Sequence, residues 1–160
     1  MVERLMKNSL RKIRSIADYQ FGKNAGSILF PEEIEICYSR STGRIRFIKL
    51  NNKRLATLRP TDGLFSISIN AGKILAQNKG LFSCFVKVKN EVSEFISKGS
   101  NVFAAHILEV DDQIRAQNEV VVIDENNKVL AVGRALLSAL EMLSFKKGVA
   151  VKVRHGIEES

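Results

Sequence analysis

The first quarter of the chain spaces its apolar residues as a helix does. Apolar side chains recur every three or four positions over residues 2–17, which predicts an amphipathic helix that frays through residues 18–22. Gly22 and Gly26 follow with few apolar residues between them, and this spacing is typical of a loop.

Residues 34–70 alternate apolar and polar side chains in four short runs. Turn-forming residues at positions 39–43, 51–53 and 60–63 divide this segment into four strands, and a short helix is expected at residues 71–77. The pattern predicts an antiparallel meander with a helix at each end, which is an α+β fold.

The second half begins with alternation over residues 84–90 and continues in short strands and two small helices. A helix at residues 92–97 is expected to stop at Gly99, and Ser138 with Glu141 forms the capping-box signature of a second helix. Further strands are predicted at residues 102–107, 119–124, 128–134 and 149–154. Short strands joined by tight turns predict a mixed β barrel.

The composition is that of a globular protein, with 45% hydrophobic and 26% charged residues in 160. This length allows one domain or two small ones. No apolar run approaches the roughly 18–20 residues that span a bilayer, and the charged N-terminal stretch is unlike a secretory signal. Cys37 and Cys84 lie too far apart to form a four-ligand zinc site. We therefore expect a cytoplasmic protein with reduced thiols.

The positive charge is concentrated in one half of the chain. The formal net charge is +8; residues 1–83 hold 15 basic and 6 acidic side chains, whereas residues 84–160 hold 10 and 11. Concentrated positive charge attracts a polyanion, and nucleic acid is the usual cytoplasmic candidate. A basic half beside a neutral half predicts two modules with different tasks, which we call the first module (1–83) and the second module (84–160).

The window from residue 40 to residue 59 contains seven basic residues and no acidic one. They are Arg40, Arg44, Arg46, Lys49, Lys53, Arg54 and Arg59. Arg44 and Arg46 are two positions apart, so we expect both on one face of a strand. This density favours a surface that contacts the RNA backbone, and a solvated sheet face is the alternative.

The predicted N-terminal helix also carries a basic row. Its members are Arg4, Lys7, Arg11 and Arg14, with Lys12 nearby. The row is consistent with the solvated side of a core-packing helix, with a helix that follows RNA phosphates, or with a helix on a membrane surface.

Motifs in the second module resemble the PUA domain, the RNA-binding module named after pseudouridine synthases and archaeosine transglycosylases. They are Lys98-Gly99-Ser100-Asn101-Val102, Leu130-Ala131-Val132-Gly133-Arg134-Ala135, and the closing segment from Met142 to His155. The resemblance covers residues 85–156. Ala105-His106-Ile107 stands where many members of the family have Pro-Gly-Ile, so the local strand geometry is expected to differ there.

The first module is similar to the domain that precedes PUA in archaeosine tRNA-guanine transglycosylase and in archaeosine synthase. The motifs that carry this resemblance lie at residues 16–22, 40–46 and 55–63. The transglycosylases exchange a base in a TIM barrel with aspartate catalysis and a zinc site, and a chain of this length cannot contain a barrel of about 250 residues. The resemblance therefore implies the RNA-binding tail of such an enzyme as a separate archaeal chain, with no catalytic residue, cofactor or metal of its own.

In the family, the PUA domain holds the acceptor stem and 3′ end of tRNA. The residues to which the resemblance assigns this task are Lys98, Gly99, Ser100, Asn101, Gly133, Arg134, Lys152, Arg154 and His155. The loop at residues 98–101 offers bare backbone that RNA can approach closely, and the final strand offers hydrogen-bond donors. The alternatives are that Gly99 and Gly133 only serve packing, and that Lys152 and Arg154 protect an exposed strand edge.

The leading hypothesis is a non-catalytic tRNA-binding protein that presents tRNA to a separately encoded enzyme of the archaeosine pathway. Its candidate RNA contacts in the first module are Arg40, Arg44, Arg46, Lys53, Arg54 and Arg59. The alternative is a ribosome-associated or translation-associated PUA protein. A self-sufficient enzyme is a third hypothesis, which no nucleophile–base pair, metal cluster or phosphate loop in the sequence supports.

Overall fold

The structure of the protein, a computed structural model, describes residues 2–159, with side chains from residue 4 onward. Met1 and Ser160, the outer ends of the two predicted modules, lie outside the described residues. The first module contains α1 (Val2–Phe21), α2 (Ala25–Leu29), β1 (Glu35–Tyr38), β2 (Ile45–Leu50), β3 (Lys53–Leu58), β4 (Phe65–Ile67) and α3 (Ile69–Ala76). The second contains β5 (Phe85–Val88), α4 (Ser93–Ser97), β6 (Val102–Phe103), β7 (Ile107–Val110), β8 (Glu119–Ile123), β9 (Val129–Ala135), α5 (Ala139–Ser144) and β10 (Val149–Gly156).

Helix α1 is longer than the apolar spacing predicts. Ala17 and Phe21 are fully buried, so tertiary packing keeps the last turn helical where the sequence pattern predicts fraying. Gly22, with φ at +124°, ends the helix, because a glycine adopts this left-handed conformation without steric cost.

The N-terminal half of α1 leaves its apolar side chains in contact with solvent. Leu5 and Met6 are 62% and 58% exposed, whereas Ile13 is fully buried. The basic row is divided as well, since Arg14 donates a hydrogen bond to the carbonyl of Phe30 at 2.9 Å. Only the C-terminal half of the helix therefore packs on the sheet of the first module.

Strands β1 to β4 form an antiparallel sheet in chain order, which confirms the predicted meander. Asn51 and Asn52 connect β2 to β3 with φ angles of 51° and 65°, the two-residue turn that suits the twist of a hairpin. Ile48 and Phe65 are fully buried in a cluster with residues of all three helices. The helices therefore cover one face of the sheet.

The second module is a six-stranded sheet in the order β6-β10-β9-β8-β5-β7. Strands β5 and β8 pair in parallel, and the other neighbours pair antiparallel. Ser138 accepts a hydrogen bond from the N–H of Glu141 while the Glu141 carboxylate accepts one from the N–H of Ser138, so the predicted capping box is confirmed. The mixed, nearly closed sheet confirms the predicted α+β barrel.

The prediction of one continuous strand over residues 102–107 is wrong. Strand β6 ends at Phe103, and a tight turn at Ala104–His106 carries the chain to β7. The N–H of Ala104 donates to the carbonyl of Gly148, and the carbonyl of His106 accepts from the N–H of Lys89. The turn thus moves the chain from one edge of the six-stranded sheet to the other, which nearly closes the barrel.

The hydrophobic core continues from the first module into the second. Phe85, Val121 and Val132 of the second sheet belong to the same buried cluster as α1 and α3. At Gly72 of α3, a Cβ atom would lie 3.0 Å from a methyl group of Val132, so the helix packs directly on β9. The predicted division after residue 83 falls between the two sheets while the core crosses it. No helix within residues 2–159 is long and apolar enough to span a membrane.

Candidate nucleic-acid interface

The meander separates the basic residues of positions 40–59 into two groups. Arg40, Arg44, Arg46 and Arg59 lie at the end of the sheet that carries the β1–β2 and β3–β4 turns, whereas Lys53 and Arg54 follow the β2–β3 turn. The two ends are about 16 Å apart, because a six-residue strand rises roughly 3.3 Å per residue. The predicted single surface is therefore two separate basic sites.

The first of these sites is concave. Helix α1 and the two turns enclose a groove of about 690 Å³, which we call the basic groove. Its cations are Lys12, Arg44, Arg46 and Arg59. Within the part of the chain that the structure describes, the side chains of Lys12, Arg44 and Arg46 form no ion pair. Of the basic residues on α1, Lys12 is therefore the one placed beside the predicted arginines.

Arg59 differs from the other cations of the basic groove because acidic groups hold it. Its guanidinium lies 3.0 Å from a carboxylate oxygen of Asp62. Burial disfavours the ionised form of Asp62, but hydrogen bonds from the Leu64 N–H and from Arg59 outweigh it and hold the pKa of Asp62 below its usual range. The orientation of Arg59 is thus fixed before any ligand binds.

At the opposite end of the sheet, Arg54 stacks on an aromatic ring. Its guanidinium carbon lies 4.0 Å from the centroid of the Phe47 ring, and Lys49 Nζ lies 5.5 Å from the same centroid. Cation–π contact of this kind holds a side chain in place without removing its charge. Lys53 and Arg54 are both exposed, so this site presents two cations to solvent.

A buried carboxylate joins the two modules. Glu119, the first residue of β8, is 3% exposed, and it accepts hydrogen bonds from both terminal nitrogens of Arg154 at 2.8 and 2.6 Å. It also accepts one from the N–H of Ile67 at 2.8 Å, while Arg154 donates to the carbonyl of Ile67 at 2.6 Å. We call this set, in which Arg59 Nη1 lies 3.8 Å from Glu119, the Glu119 clasp.

The Glu119 clasp changes the interpretation of two predicted RNA contacts. The terminal nitrogens of Arg154 donate hydrogen bonds to Glu119 and Ile67, so Arg154 has a structural role that its position in the sequence does not indicate. Its contact with RNA stays a prediction. The sequence pattern places Glu119 in a strand but indicates no role for its carboxylate. The one sequence signal for it is an acidic residue that directly precedes the apolar run of residues 120–123.

A second cavity, of about 250 Å³, opens beside the Glu119 clasp, and we call it the junction cleft. Its walls are Arg59, Ser66, Glu119, Arg134, Lys152, Val153 and Arg154. Arg134 of β9 pairs in register with Lys152 of β10 on one side and with Glu119 of β8 on the other. Both modules therefore contribute to this cleft.

The predicted loop at residues 98–101 lies against the last strand. The side-chain oxygen of Asn101 accepts a hydrogen bond from the N–H of Val153 at 3.0 Å. Gly99 has φ at +108°, and a Cβ atom there would lie 2.6 Å from a carboxylate oxygen of Glu159. Ser100 is exposed beside them. The structure thus brings this loop and the C-terminal residues into one surface.

Acidic neighbours also accompany the cations of this surface. Lys98 pairs with Glu94 at 3.0 Å, and the hydrogen bond and charge of Glu94 raise the pKa of Lys98. The Nδ1 atom of His155 lies 3.9 Å from Glu159. Their contact with RNA stays a prediction, and these pairs make the local surface less positive than its basic residues alone suggest.

Gly133 does not offer the open surface that the sequence analysis predicts. It is buried in β9, and a Cβ atom would lie 2.3 Å from the carbonyl oxygen of Lys152 and 2.9 Å from Cα of Val153. The position that RNA was expected to approach is filled by β10. The packing alternative therefore describes Gly133 better.

The cysteines and histidines form no chemical centre among residues 2–159. Cys84 is buried, and burial raises the pKa of its thiol, while Cys37 is half-buried. His106 packs edge-on against Phe103 with ring centroids 6.3 Å apart. In the same range, no group of three His, Cys, Asp or Glu side chains is placed to hold a metal ion.

Two protein families match the two halves of the chain. The family described as the patch-forming domain C2 of tRNA-guanine transglycosylase matches residues 11–79, and the PUA domain family matches residues 85–157. The chain carries a transglycosylase C2 domain followed by a PUA domain. The basic groove thus belongs to the C2 domain, and the junction cleft lies where the C2 and PUA domains meet.

The curated relatives of this chain are larger proteins, which it matches over part of their length. The chain is 42% identical over 153 residues to the tRNA-guanine(15) transglycosylase of Pyrococcus furiosus, which is 96% of this chain and 26% of that protein. It spans about a quarter of the length of the curated relatives that it matches. The matched part is their C-terminal region.

Solved structures of similar length share the whole fold. A hypothetical protein from Pyrococcus horikoshii OT3 superposes with a TM-score of 0.76 at 24% identity, covering 96% of this chain and 93% of that one. A conserved PUA domain protein from Thermoplasma acidophilum superposes with a TM-score of 0.68 at 21% identity, covering 97% and 92%. These likenesses confirm the fold that was predicted for the PUA half.

Proposed function

We propose that this chain is a non-catalytic tRNA-binding protein that uses its C2 and PUA domains together. The observation that carries the proposal is the basic groove, where Lys12, Arg44 and Arg46 form no ion pair within residues 2–159. Unpaired cations in a concave site attract a phosphate backbone strongly and give affinity that falls with salt. PUA domains bind RNA, so both halves of the chain have the same class of ligand.

The catalytic step belongs to another protein. The chain matches about a quarter of tRNA-guanine(15) transglycosylases, and that quarter is their C-terminal region. The protein acts as an RNA-binding subunit or accessory for a separately encoded tRNA-modifying enzyme of the archaeosine pathway. This function places it in the cytoplasm with its tRNA.

The PUA domain holds the acceptor stem and 3′ end of the tRNA. The loop at residues 98–101 and the C-terminal segment share one surface, in which Asn101 is already fixed on Val153 and Gly99 packs against Glu159. A preformed surface of this kind recognises the shape of structured RNA with little dependence on bulk charge. The basic groove adds the salt-sensitive affinity.

The test compares full-length tRNA with a minihelix of the acceptor and T arms at two salt concentrations. Both RNAs are expected to bind, with the full tRNA bound more tightly and with a steeper dependence on salt, because it reaches both domains. Binding of neither RNA would contradict the proposal. In that case, co-purification with a ribosomal subunit would favour the ribosome-associated alternative.

A further inference from the structure

Two cations of the junction cleft face each other across a pair of strands. Arg134 and Lys152 lie directly opposite each other on β9 and β10, and like charges in this position destabilise a sheet. Neither side chain forms an ion pair or a hydrogen bond in the described part of the chain. Both are exposed, so both can reach a ligand.

The nearest acid, Glu119, lies opposite Arg134 in the sheet but forms no ion pair with Arg134 or Lys152. Glu119 accepts three hydrogen bonds between 2.6 and 2.8 Å, two from Arg154 and one from the N–H of Ile67. Arg59 also lies 3.8 Å from Glu119. One carboxylate therefore faces four cations, and the cleft keeps a surplus of positive charge.

Arg59 connects this cleft with the C2 domain, since it lines both the basic groove and the junction cleft. The two cavities thus share one basic residue. Ser66 stands in the wall of the cleft, and its oxygen lies 3.5 Å from Arg59 Nη1, which leaves its hydroxyl proton available for an acceptor.

From this placement we infer that the junction cleft binds a phosphate group, with Arg134 and Lys152 as its direct ligands. Arg134 supplies paired N–H donors and Lys152 supplies a point charge, the two forms in which proteins bind phosphate. Glu119 acts as a positioning residue, because it holds Arg154 and leaves the other two cations unpaired. The phosphate comes from the RNA backbone or from free phosphate; the first source rests on the proposed function.

The test uses the full chain and a double variant, Arg134→Gln with Lys152→Gln. The matched control is Lys89→Gln with Lys128→Gln, which removes the same charge. Lys128 directly precedes β9 and Arg134 lies near the end of that strand, so the control site is about 20 Å away at roughly 3.3 Å per residue. The junction variant is expected to melt at or above the temperature of the parent, because the opposed charges are gone; a lower melting temperature would overturn the inference.

In the RNA arm, tRNA affinity is measured over a range of salt concentrations. Loss of one phosphate contact lowers the slope of log affinity against log salt by about 0.9, and the control keeps the slope of the parent. In the second arm, inorganic phosphate is added at constant ionic strength. It is expected to raise the melting temperature of the parent and the control more than that of the junction variant.

The two arms distinguish the RNA backbone from free phosphate as the ligand, and they distinguish both from a failure of the inference. A changed slope alone assigns the cleft to the RNA backbone, and a phosphate effect alone assigns it to free phosphate. If neither arm distinguishes the junction variant from the control, the inference is wrong, even where the parent binds tRNA. If the parent binds no tRNA, the proposed function fails and the inorganic phosphate arm decides on the cleft by itself.

Discussion

The C2 and PUA domains hold their basic residues differently: within residues 2–159, most cations of the basic groove are unpaired, whereas the PUA domain combines paired cations with the two unpaired ones of the junction cleft. In the C2 domain, Arg44 and Arg46 face a groove without an acidic partner in the described residues. In the PUA domain, Lys98 pairs with Glu94 and Arg154 pairs with Glu119. The difference shows that the number of basic residues in a domain says little about how many of them are free to bind a polyanion.

In the proposed function, unpaired and paired cations have different tasks. Unpaired cations contribute affinity that depends on salt, because they release counterions from the RNA. Paired cations contribute orientation, since each is fixed in the folded protein before RNA arrives. Four experiments test this division, ordered from the largest expected effect to the smallest.

Arg154→Met is expected to lower the free energy of unfolding by about 3 kcal/mol, because it leaves the buried carboxylate of Glu119 without its main partner. Urea denaturation followed by circular dichroism measures the loss. Arg134→Met, one strand away and exposed, is the matched control and should change stability by less than about 0.5 kcal/mol. Equal stability of the two variants would show that the clasp does not stabilise the domain junction.

Gly99→Ala is expected to cost about 2 kcal/mol of stability, because it adds the strain of a positive φ and a collision with Glu159. Gly148→Ala is the control: its φ is +95°, and nothing lies within 4 Å of the added Cβ. Both variants have the strain of a positive φ, so the difference between their melting temperatures measures the effect of the contact with Glu159. Only Gly99→Ala should also weaken binding of the minihelix, and unchanged binding would remove this loop from the RNA surface.

Arg44→Ala with Arg46→Ala is expected to weaken binding of all tRNAs and to lower the salt slope by about 1.8. Raising salt from about 50 to 200 mM would then weaken its binding roughly tenfold less than that of the parent. Lys53→Ala with Arg54→Ala removes the same charge at the opposite end of the sheet. A lower slope in the first variant alone would confine the interface to the basic groove. A lower slope only in the second variant would place the interface at the end of the sheet that carries the β2–β3 turn.

Asp62→Asn tests the ion pair that links Arg59 to an acid within the C2 domain, and the expected effect is small because Asp62 is exposed. The folded pKa of Asp62 is below its ordinary value, so the carboxylate stabilises the fold above the ordinary range of an aspartate. That contribution is lost as pH falls through the folded pKa. Urea midpoints at neutral pH and at about pH 3 should therefore differ more for the parent than for Asp62→Asn.

Local patterns predicted most of the fold because they depend on neighbouring residues. The meander follows from alternation and turn residues, and the capping box of Ser138 from spacing along the chain. The break at residues 104–106 was missed because Ala104 bonds to Gly148 across the barrel. Fully buried Phe21 likewise extends α1 through contacts that the helical spacing does not include.

The residues of the candidate site were easier to predict from the sequence than their positions relative to one another in the fold. The basic window was identified, but its division between two ends of the sheet depends on where the turns at residues 39–44, 51–52 and 59–64 lie. The Glu119 clasp was not found, because Glu119 meets partners 35 and 52 residues away in the chain. Long-range pairs of this kind leave no periodic signal.

The core that crosses from one domain to the other makes the C2 and PUA domains a single transferable part. Phe85, Val121 and Val132 of the PUA sheet are covered by the C2 domain, so a PUA domain cut out after residue 83 would expose an apolar face and tend to aggregate. An engineer who grafts this RNA-binding element onto another enzyme would therefore have to move both domains together. The graft would carry the basic groove and the junction cleft at a fixed distance, whatever enzyme it is joined to.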